Sequence, residues 1–187
     1  MRALTSILAI FILNSVWSQT TSKEYYSRPG KVGITVPFKD TVAIFGSTDL
    51  ITTIDPDTKR IIFKLDPCTI TSSNDSLGFA LSCTPHELAV FDGTMNLNLL
   101  NPQIFNMRST VSRDFEAIGD LTIGEETKSL TITGSIHYFD QGPDVQLLLY
   151  LYFDLDIVGF GLNKHVDGLG ETACVEIVQT MMEQNEH

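Results

Sequence analysis

Apolar and polar residues alternate with period two along much of the chain. In the segment 59–65 (KRIIFKL), Ile61, Phe63 and Leu65 share one face. In 130–138 (LTITGSIHY), Leu130, Ile132, Ile136 and Tyr138 fall together, with Thr131, Thr133, Ser135 and His137 opposite. In 145–155 (VQLLLYLYFDL), Val145, Leu147, Leu149, Leu151, Phe153 and Leu155 make one continuous apolar face, and Tyr150 and Tyr152 lie on the other. The segments 115–123 and 172–178 alternate more loosely. Successive side chains of a strand point to opposite sides, so these patterns predict strands with one buried face. Their β-branched and aromatic content suits a pleated surface.

Turn formers separate the runs: Asp55-Pro56-Asp57, Gly124-Glu125-Glu126, Asp140-Gln141-Gly142-Pro143 and Asp167-Gly168-Leu169-Gly170. Long strands joined by short turns imply successive antiparallel hairpins. Such a sheet must close on itself or cover its edges. One region departs from alternation: 74–91 carries Leu77, Phe79, Leu81, Leu88 and Phe91 near helical spacing, broken by Pro85. The expected fold is all-β, an antiparallel barrel capped by one or two short helices from that region. The expected domain runs over 31–182, after a flexible arm at 19–30 and before a disordered tail at 183–187.

The first eighteen residues belong to a different class of signal. Arg2 precedes the apolar run Leu4–Leu13 (LTSILAIFIL), and Val16 and Ser18 occupy the −3 and −1 positions of a cleavage site after Ser18. The run is about half a membrane crossing. This reading makes the protein exported, periplasmic or secreted, with Gln19 first in the mature chain. It also removes Trp17, the single tryptophan. No other apolar stretch is long enough for a stable membrane span. The net charge of −11, with 12 basic and 23 acidic residues and no basic run, gives no footprint for nucleic acid. Three cysteines without a CxxC spacing exclude a four-sulfur zinc site. In an oxidising compartment Cys68 and Cys83 have a spacing that allows a pair across a short loop. Inert thiols are the equal alternative.

No constellation for catalysis emerges, and no cofactor or metal is expected. There is no GxSxG elbow. Gly159-Phe160-Gly161 lacks a third glycine and reads as a strand-end kink. His86, His137, His165 and His187 show no ligand spacing. Asp154 and Asp156 share a strand face, which a solvated outer surface explains more simply than acid–base chemistry. The one sequon is Asn74-Asp75-Ser76.

A closed barrel with this much apolar strand face holds either a packed core or one small ligand. Alternation assigns Ile61, Phe63, Leu130, Ile132, Ile136, Leu147, Leu149, Leu151 and Phe153 to the lining.

The order of short motifs decides between these further. Phe45-Gly46-Ser47-Thr48 is followed by Thr53-Ile54-Asp55-Pro56-Asp57, then by Asp66-Pro67-Cys68-Thr69-Ile70-Thr71 with Asn74. Phe105 to Thr110 comes next, then Gly119-Asp120-Leu121-Thr122-Ile123-Gly124 with Thr127-Lys128-Ser129-Leu130-Thr131, and Phe160-Gly161-Leu162 near the end. This series, over about residues 32–180, resembles the YceI-like family of periplasmic, lipocalin-like barrels that bind polyisoprenoid lipids in their interior. The resemblance implies a non-catalytic barrel holding a hydrophobic, isoprenoid-type molecule. The chain departs from the family where Arg-Asp-x-His often follows the Asn: it has Leu77-Gly78-Phe79-Ala80 there. It also has Glu125-Glu126 where a second turn glycine is usual. The polar headgroup contact is therefore the least supported part of the resemblance. The rival function is a secreted structural or protein-interaction module with a filled barrel.

Overall fold

The alternating segments form strands whose apolar faces all turn to one side. The computed structural model describes residues 24–72, 88–97, 112–140, 145–164 and 168–185. The strands are β1 (Glu24–Phe38), β2 (Thr41–Asp55), β3 (Arg60–Leu65), β4 (Thr71–Ser72), β5 (Ala89–Met95), β6 (Ser112–Ile123), β7 (Glu126–Asp140), β8 (Val145–Asp156) and β9 (Thr172–Asn185). Eight of them pair in the order β1-β9-β8-β7-β6-β5-β3-β2, and β2 pairs back to β1. All the pairings are antiparallel. The result is a closed, lipocalin-like barrel whose ring of strands has no free edge. The two-residue β4 adds to β2 beside Phe45 and Gly46.

The turns show why the chain reverses where it does. At the β2–β3 turn the Asp55 carboxylate accepts hydrogen bonds from the backbone N–H of Asp57 (2.9 Å) and from the Thr58 hydroxyl (2.6 Å). Gly124 supplies the positive φ (61°) that the two-residue β6–β7 turn needs. Between strands, Gly93 faces Gly119. A Cβ on Gly119 would come within 2.2 Å of the Asp92 carbonyl oxygen, so only glycine permits this close approach.

Inside the barrel one contiguous apolar core runs from end to end. The end holding the β2–β3 and β7–β8 connections, here the lower end, is filled. Tyr25, Ile54, Ile61, Met95, Phe115, Ile132, Ile136, Leu147, Leu149 and Met182 are all buried there. The upper end holds the β1–β2, β6–β7 and β8–β9 connections.

Three expectations meet the described residues differently. The only helical turns among them are 3-10 turns at Pro67–Thr69 and Leu162–Lys164. Of the stretch expected to be helical, 74–91, residues 74–87 lie outside the described residues, and Phe91 is an inward residue of β5. Residues 24–30, expected in a loose arm, are instead the start of β1, and 183–185 close β9 rather than forming a tail. Backbone pairing outweighs the polar composition there: Tyr25 and Tyr26 each pair with both β2 and β9. Residues 1–18, Cys83 and the sequon lie outside the described residues.

Candidate functional site

The upper half of the barrel is hollow. Its cavity has a volume of about 150 Å³. A single buried water needs only ~10–15 Å³ on the same measure. The wall is built by the upper inner faces of seven strands: Val32, Ile34 and Val36 from β1, Phe45 and Leu50 from β2, and Phe63 and Leu65 from β3. Ala89 and Phe91 of β5, Leu121 and Ile123 of β6, Phe153 and Leu155 of β8, and Val175 and Ile177 of β9 complete it. Pro67, Ile70, Ile157, Leu162 and Leu169 line it near the mouth. Every lining side chain is hydrocarbon or aromatic. The Phe63 and Phe91 rings stack side by side on the wall with centroids 5.7 Å apart.

The mouth is held by backbone and side-chain contacts between its turns. The Lys39 N–H donates to the Gly168 carbonyl at 3.0 Å, and the Gly170 N–H to Pro37 at 2.7 Å, fastening the β8–β9 connection to the β1–β2 turn. Ser47 and Thr69 hydroxyls share a 2.6 Å hydrogen bond that pins the first 3-10 turn to β2. Lys128 Nζ lies 2.8 Å from an Asp156 carboxylate oxygen and 5.4 Å from the Phe160 ring centroid. That hydrogen bond, with one from the Gly159 N–H, holds the Asp156 carboxyl below its ordinary range. A Cβ on Gly159 would fall 1.6 Å from Lys128 Nζ, so the ion pair closes over a glycine. The Gly159-Phe160-Gly161 stretch is a turn after β8, with Gly161 at φ 68°.

Of the nine residues assigned to the lining by alternation, Phe63 and Phe153 stand on the cavity wall. Ile61, Ile132, Ile136, Leu147, Leu149 and Leu151 point inward but pack the core below the cavity. Leu130 is half-buried against that core. The strongest wall segments that the pattern missed are in β1 and β2, where glycines and polar residues interrupt the alternation. Cys68 is exposed at the first 3-10 turn. His137 lies on the outer face against Tyr150, ring centroids 5.4 Å apart, and Asp154 and Asp156 are both exposed. The described residues contain no cluster of three or more potential metal ligands, and no helix long and apolar enough to cross a membrane.

No family model and no curated protein matches the sequence. Solved structures do match. One is a polyisoprenoid binding domain from Saccharophagus degradans implicated in plant cell wall breakdown. It superposes with a TM-score of 0.66 at 6% identity, over 87% of this chain and 98% of that one. BcnA of Burkholderia cenocepacia superposes with a TM-score of 0.52 at 9% identity, over 82% and 96%. The resemblance read from the motif order thus holds at the level of the fold: the chain is a lipocalin-like antiparallel barrel of the architecture these two proteins share.

Proposed function

We propose that the protein is an exported, non-catalytic carrier of a hydrophobic lipid of isoprenoid type, held in the upper half of the barrel. The observation that carries this reading is the cavity itself, a large opening at the end of a closed barrel with no polar or titratable side chain in its lining. Each Å² of apolar ligand surface covered there contributes about 25 cal/mol before ordering costs. A prenyl chain of several units therefore binds through its hydrocarbon alone. The structural likeness to a polyisoprenoid binding domain supports the same ligand class. The export half of the reading rests on the leader pattern at 1–18.

The test is organic extraction and mass spectrometry of protein purified from its native compartment. A co-purifying polyprenyl compound in stoichiometric amount is the expected result. An empty extract from protein that also fails to take up added prenyl lipid would sink the reading. Edman sequencing of the same sample starts at Gln19 if the leader is cleaved as expected; a start at Met1 would contradict export by this route.

A further inference from the structure

The way the cavity ends limits what it can hold. It occupies the upper half only, and the strands close into a ring, so a chain entering at the mouth has no exit through the side. Phe63 and Phe153 stand on the wall, but the next inward residues below them, Ile61 and Leu151, are buried and line no part of it. Leu149, Met95 and Met182 fill the barrel further down. A long hydrocarbon chain therefore cannot thread the barrel from end to end.

The floor has a specific construction. Phe91 lines the cavity, and its ring leans toward the filled half over the bare backbone of Gly93. A Cβ on Gly93 would stand 2.5 Å from the Phe91 Cζ and 2.6 Å from its Cε1. Gly93 faces Gly119 on β6, so this stretch of wall carries no side chain that would lift the ring. Phe63, the register partner of Phe91, stacks beside it, and Ile61, the register partner of Gly93, is fully buried. A second glycine works the same way. Leu151 Cδ2 lies 2.5 Å from where a Cβ on its register partner Gly134 would stand. Gly134 belongs to β7, which contributes no residue to the cavity wall. At both places a glycine makes room for a large side chain that shuts off the lower half.

Volume agrees with this geometry. A dry cavity of about 150 Å³ lined by leucine, isoleucine and phenylalanine takes one benzene-sized molecule, roughly the bulk of one isoprene unit. The apolar rim of Ile70, Ile157, Leu162 and Leu169 offers cover for a second.

Building on the lipid-carrier reading, we infer that the barrel is a chain-end binder. It covers about two isoprene units of its ligand, with the Phe91 ring over Gly93 as the stop, and any longer chain stays outside the mouth.

The experiment is a displacement titration with prenyl alcohols of one, two, three and four isoprene units, on protein stripped of co-purifying lipid. Each covered CH₂ group strengthens binding by about fourfold before ordering costs. The second unit is expected to raise affinity by about tenfold or more, and the third and fourth together by less than about threefold. Two substitutions move this plateau in opposite directions. Phe91→Leu removes the stop and lets affinity climb through the third unit. Gly93→Ala drives the Phe91 ring into the cavity, the open space beside it, and brings the plateau down to one unit. A steady rise through all four units in the wild type overturns the inference, whatever the variants do. A plateau that stays at two units in both folded variants overturns the assignment of Phe91 as the stop. Failure of every alcohol to bind the wild type counts instead against the lipid-carrier reading on which the inference rests.

Discussion

The upper and lower halves of the barrel are made by the same strands, yet one is hollow and the other is full. In the lower half, inward positions carry large side chains such as Met95, Met182, Phe115, Leu147 and Leu149, and all are buried. Rings also settle onto glycines: a Cβ on Gly134 would meet the Phe115 ring at 3.0 Å, so the ring occupies space that another side chain would fill. In the upper half the wall mixes the smaller Val32, Val36, Ala89 and Val175 with leucines, isoleucines and phenylalanines. The phenylalanines Phe63 and Phe91 lie against each other. Both halves are apolar on their inner faces, so hydrophobicity alone does not divide a structural core from a cavity.

This contrast can be broken by substitution. The largest effect is expected in the lower half. Leu149→Ala should cost about 2–5 kcal/mol of unfolding free energy, read from the urea midpoint, because it removes packed atoms on all sides. Phe153→Ala in the upper half should cost less, roughly 1 kcal/mol, since that ring already faces empty space on one side. Phe153→Ala should instead change lipid affinity, which Leu149→Ala leaves intact. Equal destabilisation by the two would remove the distinction between the halves. Gly119→Ala should fall between these two, at about 1–3 kcal/mol, as the new methyl forces the Asp92 backbone away.

The smallest effect concerns the outer surface, where Arg60 and Asp92 form an exposed ion pair. The Arg60 hydrogen bond holds the Asp92 carboxyl below its ordinary range. Because the folded-state value is depressed, the contribution is present above the unfolded aspartate's range and fades as acid protonates Asp92 in the folded protein. Asp92→Asn should lower the urea midpoint slightly at neutral pH, and the difference from wild type should shrink below about pH 4. A constant difference across that range would mean that the pair contributes nothing through its charge.

Much of the fold is legible in the sequence, and the cavity only partly. Alternation over 145–155 identifies the inner face of β8 correctly, since a period of two needs no tertiary information. Depth along the barrel is another matter. Leu147 and Phe153 share that face, yet Leu147 packs the filled half and Phe153 lines the cavity. Which end a residue reaches depends on how the strands stagger when the ring closes, and no local pattern records that. The β1 wall was hidden for a different reason. Residues 19–30, with Pro29-Gly30, read as a flexible arm, whereas a bulge at Gly30 lets β1 continue from β9 pairing at Tyr25 to the turn at Phe38.

The central claim is that the hollow half, and not the barrel as a whole, carries the ligand. Native mass spectrometry of the protein from its native compartment, wild type beside Ala89→Trp, tests it most directly. Ala89 lines the cavity, so the indole intrudes into it without touching the lower core. The account predicts a lipid adduct on the wild type that is lost from Ala89→Trp, with the variant's melting temperature unchanged or raised. The same adduct on both proteins, or on neither, would contradict it.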